Sequence, residues 1–238
     1  MTGDPFDPPR DHPHVLDARP DGWVRVDCHT HTYFSGDAVS APDELAEQAR
    51  RAGIDVLCVT DHHAIRGAAE VAACGVRVVV GEEIRTAQGE LIGWFLSERI
   101  PAGLSVAETV SRIRAQGGLT YVPHPFDPMR RPLQRDALTA AIAEGWIDAL
   151  EGFNAKTSLQ HLNVEAQTVA RDAGLPVGAG SDAHDPSSIG AAYMEMPDFD
   201  GPEAFLVALR AGRIVGHHHD RARDWRPRII PGGIDPYR

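Results

Sequence analysis

Cysteine is scarce in this 238-residue chain: Cys28, Cys58 and Cys74 are the only three, an odd number, and two of them sit inside apolar runs with the look of strands. That usage argues against a disulfide scaffold and for buried, reduced thiols in a cytoplasmic protein. Long hydrophobic runs are missing as well. No stretch approaches the roughly eighteen apolar residues of a membrane span, and no signal-peptide core opens the chain. A soluble, intracellular protein is therefore expected, with no membrane partner. Basic charge is in deficit, with 23 Lys and Arg against 34 Asp and Glu and a formal net charge of -11. Such a field repels a phosphate backbone and argues against extended binding of duplex nucleic acid, while a local cationic pocket can still hold one phosphate.

Potential metal ligands, by contrast, recur in short groups from Asp27-Cys28-His29-Thr30-His31 to Gly180-Ser181-Asp182-Ala183-His184. Side chains two apart on a strand share a face, so His29 with His31, and Asp182 with His184, can each reach one ion. Asp61-His62-His63, Gly81-Glu82-Glu83 and Pro123-His124-Pro125 lie between them, each following an apolar run. Imidazole and carboxylate gathered from several strand ends are the donor set of a metal site.

The frame for these groups is a succession of strands and helices. Residues 1–22 carry five prolines and read as a loose arm, in which His12 and His14 have no flanking strand to fix them. Order is expected from Trp23, with a helix from Ser40 or Ala41 to Gly53 and strands at Asp55 to Thr60 and Val76 to Val80. A turn at Gln88-Gly89-Glu90 and a return strand Leu91 to Leu96 follow. The next helix opens at Ser105 and closes at Gly117-Gly118. Beyond it come a strand Leu119 to Val122, a helix near Asp136 to Glu144 and a strand Ile147 to Phe153. A helix near Asn163 to Ala173 and a strand Pro176 to Ala179 complete the series. Continuous apolar strands alternating with helices predict an α/β fold whose parallel strands deliver the ligands at their C-terminal ends. A closed barrel gathers such ends better than an open sheet. We expect one barrel domain over residues 23–219 and a basic tail over 220–238, with no internal linker.

The run from His29 through Ser35-Gly36-Asp37, with Thr60-Asp61-His62, Gly81-Glu82-Glu83-Ile84, Pro123-His124-Pro125 and Ser181-Asp182-Ala183-His184 in that order, resembles the PHP superfamily, named for polymerase and histidinol phosphatase. The likeness covers about residues 24–216. It implies a distorted seven-stranded β/α barrel holding two or three divalent metal ions. Carried over by position, His29, His31, Glu83 and Asp182 correspond to ligands of a first ion, and Asp37, His62 and His184 to those of another. Glu83 and His124 then serve the ion between them. Glu82 is the alternative to Glu83, which better matches the family's spacing. Many relatives supply a further histidine between these positions, yet residues 84–123 contain none. Glu90 lies near that place, either as an oxygen ligand or as an ordinary exposed turn carboxylate.

The implied activity is metal-dependent hydrolysis of a small phosphorylated or nucleotide-like substrate by metal-hydroxide attack. Water on a divalent cation ionises near neutral pH, so no serine or cysteine nucleophile is needed. Asp182 and His184 are candidates to relay a proton to the leaving group, with Glu83 bridging two ions. Manganese, iron and zinc all suit nitrogen and oxygen ligands without thiolate. Carboxylic ester or amide hydrolysis, and an accessory domain like those attached to polymerases, are the alternatives. Arg130, Arg131 and Lys156 are candidate phosphate contacts, set against ordinary surface cations, and His63 is a further candidate near the site. Arg85 is a partner of the ligands or an anion contact. His217, His218 and His219 cannot all face one ion from an extended segment. Trp225, in the tail, either packs on the barrel or belongs to a lid that contributes an arginine.

Overall fold

A computed structural model describes residues 19–217. The expectations for His12, His14, His218, His219 and Trp225 fall outside them. Six α-helices and nine strands make up the described chain. In order these are β1 (Trp23–Thr30), α1 (Pro42–Ala52), β2 (Val56–Val59), α2 (Arg66–Ala73), β3 (Arg77–Thr86), β4 (Gly89–Trp94) and α3 (Val106–Ala115). The second half comprises β5 (Leu119–Val122), α4 (Arg135–Ala143), β6 (Ala149–Asn154), α5 (Gln160–Asp172), β7 (Val177–Gly180), β8 (Ala192–Pro197), α6 (Gly201–Ala211) and β9 (Arg213–Gly216).

The strands form one sheet in the order β7-β6-β5-β4-β3-β2-β1-β8-β9. Its β7 edge returns to β1 through the chain leaving β7: Asp182 N donates to His29 O at 2.8 Å and His31 N to Ala183 O at 3.0 Å. The result is the expected barrel, nearly closed, with the candidate ligand segments around His29, His31 and Asp182 drawn to the seam. The strand count differs from the expected seven. β8 pairs antiparallel with the N-terminal half of β1, and β9 antiparallel with β8; Met and Glu dilute the strand signal of Ala192-Tyr-Met-Glu-Met-Pro, and Arg213-Ile-Val-Gly offers only two strand formers in four residues.

Local chemistry explains the boundaries. Helix α1 has Pro42 in its first turn and ends at Gly53, whose φ of 67° only glycine adopts freely. Helix α3 has the expected capping box, in which Ser105 Oγ accepts from Glu108 N and the Glu108 carboxylate accepts from Ser105 N. The largest departure is β3, which does not stop at Val80. Its first residues pair with β2, and Gly81 to Thr86 pair with β4. Glu82 and Glu83 therefore sit within a strand and not after one. The turn lies at Ala87 and Gln88, so Glu90 is the strand partner of Arg85 rather than a turn residue.

One core lies among the strands: Val26 and Cys28, Val56 and Cys58, Trp94 and Tyr121 pack with Met194, Met196 and Phe205. Two further clusters seat the helices against the sheet, one with Leu45, Leu57 and Val71, the other with Val110, Leu150 and Ala166. Cys28 and Cys58 are both fully buried free thiols.

Candidate metal centre

The ends of β1, β2, β5 and β7 and the middle of β3 converge on one cleft of about 290 Å³. Two of the four described non-glycine residues with positive φ line it, His124 at 29° and Asp182 at 49°, and a third, His63 at 56°, follows the lining residue His62. Such conformations cost about 1–3 kcal/mol each and persist where the surroundings over-determine them.

Glu83 is 1 % exposed and lies among four imidazoles. Its Oε2 is 3.1 Å from His29 Nε2, 3.3 Å from His31 Nε2 and 3.5 Å from His62 Nδ1, and its Oε1 is 3.0 Å from His124 Nε2. Asp182 Oδ1 stands 3.4 Å from His31 Nε2 and 3.7 Å from His29 Nε2. The Nε2 atoms of His29 and His31 are themselves 3.0 Å apart. Ligands bonded at about 2.0–2.2 Å to one ion in tetrahedral or octahedral array are separated by about 2.8–3.6 Å, which these spacings match. A second group joins His31, His62 and His184, with Asp37 Oδ2 3.3 Å from His184 Nε2 and 3.8 Å from His62 Nε2. A third joins His62, Glu83 and Glu90.

Hydrogen bonds set which nitrogen of each ring is offered. His29 Nδ1 lies 3.1 Å from Glu151 Oε1, so its proton is held there and Nε2 keeps a lone pair. Ser35 Oγ gives its one proton to Asp61 and accepts from His62 N, which leaves it to accept from His31 Nδ1–H at 2.9 Å. His184 Nδ1 donates to the carbonyl of Asp182 at 2.9 Å, and its buried Nε2 has no hydrogen-bond partner among the described residues. In their neutral forms three imidazoles thus turn Nε2 lone pairs inward, as metal ligands require.

Charge tells the same story. Burial opposes protonation of His31, yet hydrogen bonds to Asp182 and Glu83 outweigh it and lift its pKa to about 9. For His29 burial is likewise outweighed, by the fields of Glu151, Glu83 and Asp182, and its pKa rises well above the ordinary value. Burial favours the neutral acid at Glu83, but His62 and His29 hold it well below the usual carboxylate range. The carboxylates thus draw protons onto rings that burial alone would leave neutral, and a bound cation would take the place of those protons. The donor set, spacing and charge all fit divalent ions.

Glu82 points elsewhere: its Oε2 accepts from Ile100 N at 2.7 Å, and burial raises its pKa to about 7. Glu90 is 4 % exposed, which overturns the exposed-turn alternative. Burial and then the charge of Glu83 push its pKa up to about 7. Arg130 Nη2 lies 3.0 Å from Asp182 Oδ2, and Arg130, Arg131 and Arg85 all line the cleft. Lys156 does not line it; its side chain is 8 % exposed and its Nζ lies 3.7 Å from Asp185. His63 also lies outside the lining, and its pKa falls through burial and the charges of Arg85 and Arg99. His217 is half-buried, its N donating to Ala191 O, and is not among the lining residues.

Two residues of this constellation carried little sequence signal. Glu151 holds His29 and also accepts from His124 N at 2.6 Å and Asn154 Nδ2 at 2.9 Å. Ser35 links His31, Asp61 and His62. A carboxylate inside the buried strand Ala149-Leu-Glu-Gly-Phe-Asn was the available clue to the first.

Known proteins give this geometry a context. Residues 160–214 match the model of a PHP-associated region. An uncharacterized protein of Methanocaldococcus jannaschii is 40% identical over 146 residues, 56% of this chain and 82% of that protein. A two-domain Bacteroides vulgatus protein containing a predicted PHP-like metal-dependent phosphoesterase superposes with a TM-score of 0.67 at 21% identity. That match covers 83% of this chain and 66% of the other, just under two thirds of its length. Endonuclease Q, solved with a 27-mer duplex carrying an abasic lesion, has a TM-score of 0.61 at 18% identity, covering 79% of this chain and 56% of that one. These likenesses show a shared fold. Since residues 27–161, more than half of the chain, match the PHP domain model itself, this protein belongs to the PHP family.

Proposed function

We propose that this protein is a metal-dependent hydrolase of phosphoric esters that acts on a small phosphorylated or nucleotide-like substrate. The observation that carries this reading is the buried Glu83 carboxylate set between imidazoles from three other strand ends, with a guanidinium on the adjoining Asp182. His29, His31, Glu83 and Asp182 would hold a first ion; Asp37, His62 and His184 a second. A third would fall to Glu83, His124 and Glu90. Manganese, iron and zinc suit these ligands. When bound, such ions acidify water and neutralise charge on phosphoryl oxygens.

The chain supplies the rest. Arg130, steadied by Asp182, presents its remaining N–H groups to a phosphoryl oxygen, and Arg131 adds a second cation at the cleft. The Asp182 carboxylate is the group placed to move a proton toward the leaving oxygen, and His184, its Nδ1–H fixed by the Asp182 carbonyl, would serve the reaction by holding the second ion through Nε2. A cleft of about 290 Å³ suits a small molecule more than a continuous duplex. Reduced, buried cysteines fit a cytoplasmic enzyme.

The test is a screen of metal-loaded protein against phosphomonoesters, dinucleotides, cyclic phosphodiesters and carboxyl esters. Asp182→Asn and His184→Ala are each expected to lower phosphoester turnover by about 10²–10³-fold or more. Unchanged turnover in both variants would refute the reading, and hydrolysis of carboxyl esters alone would replace it with an ester or amide hydrolase.

A further inference from the structure

We infer that Met129 is an apolar platform for the organic part of the substrate, and that the cleft prefers phosphorus oxyanions carrying a flat aryl or nucleobase group. The inference rests on the phosphoester reading only in requiring that the cleft hold a phosphorus oxyanion. Of the eleven residues lining the cleft, ten have ionisable side chains, and Met129 is the exception. At 78% exposure it is also the most exposed large hydrophobic residue described.

That exposure does not come from a loosely held loop. Asp127, 1% exposed, accepts from Met129 N at 2.9 Å and from Ser158 Oγ at 2.6 Å through Oδ1, and from Ser158 N at 2.8 Å through Oδ2. Arg130 N donates to Asp127 O at 3.1 Å, and Glu90 N donates to Arg131 O at 2.9 Å. The segment is thus pinned to α5's approach on one side and to β4 on the other, and it holds an apolar side chain in solvent.

Position gives the platform its meaning. Arg130, the next residue, reaches Asp182 at 3.0 Å, so an oxyanion bound there carries its substituent out past Met129. A methionine thioether is flexible and polarisable and packs well on ring faces, whereas it gains little from a hydroxylated chain. Alanine removes that surface; leucine keeps most of it.

The experiment measures equilibrium binding of phenylphosphonate and methylphosphonate to the full metal-loaded chain, independent of turnover. The wild-type protein is expected to bind the phenyl compound at least about fivefold more tightly. Met129→Ala should bring that ratio below about twofold, and Met129→Leu should retain it. The same ratio in Met129→Ala as in wild type, no preference in the wild type, or no phosphonate binding at all would each overturn the inference. Phosphonate binding with the expected ratio but without phosphoester hydrolysis would uphold it and refute the catalytic reading alone.

Discussion

Glu151 Oε1 lies 3.1 Å from His29 Nδ1, and that contact settles which nitrogen His29 turns toward Glu83 and His31. A carboxylate behind a ligating imidazole fixes its tautomer and raises its basicity, and losing one costs about 10–100-fold in metal affinity. Glu151→Gln should show a weakening of that size in competition with a chromogenic chelator. Wild-type affinity in the variant would mean that the contact does not orient a ligand.

Gly180 is required by close approach. A β-carbon there would stand 2.4 Å from His29 Cβ and 2.8 Å from Glu151 Oε1. Gly180→Ala must displace β1 from β7 at the seam that carries His29 and Asp182. It should lower the thermal midpoint and reduce bound metal below that of the wild type. Equal metal content and midpoint would show that the seam yields without consequence.

Glu90 and Glu83 share a cluster with His62, and burial beside a like charge is unfavourable for both carboxylates. If Glu90 helps to hold the third ion, graded chelation should remove one ion before the others, and Glu90→Gln should hasten that first loss. Simultaneous release of all ions, with no effect of the substitution, would exclude Glu90 as a ligand.

Far from the cleft, Glu195 on β8 joins Arg25 Nε at 2.9 Å and Arg213 Nε at 2.8 Å, tying β1 and β9 to its own strand. Burial pushes Glu195 toward the neutral acid, but hydrogen bonds from Arg213 and Arg25 outweigh it and hold its pKa below the ordinary value. The folded state therefore binds its proton less readily than the unfolded chain. The resulting stability is full above the unfolded pKa of about 4.3 and is lost as pH falls through the folded value. Glu195→Gln, which removes the carboxylate charge between Arg25 and Arg213, should cost about 1.5–3 kcal/mol at neutral pH. Urea unfolding between pH 3 and 7 should show a flatter acid limb in the variant; parallel limbs would contradict this assignment.

The parts of the site legible in the sequence were those that obey strand periodicity. His29 with His31 and Asp182 with His184 share faces because they are two apart, and the structure brings the two pairs into contact. Glu90 was harder to read because the hairpin turns at Ala87 and Gln88, one step earlier than Gln88-Gly89-Glu90 suggests, which moves the carboxylate from loop to strand. Lys156 looked like a cleft residue from its place after β6, but the chain there folds back, and Lys156 N donates to Asn154 Oδ1. Glu151 and Ser35 act through other residues, and no local pattern announces a partner more than a hundred positions away, as Glu151 is from His29. Strands β8 and β9 are harder to read because methionine and glutamate dilute the pattern of β8 and β9 is only four residues long, while their places are fixed by pairing, β8 with β1 and β9 with β8.

Several strands gather around Glu83 the donors that would hold at least two ions. Anomalous difference maps, collected from crystals of the metal-saturated protein at the edge of the bound metal, test it most directly. The account predicts at least two peaks: one enclosed by His29, His31, Glu83 and Asp182, another beside Asp37, His62 and His184. A map with no peak near His29 and His31 would contradict it.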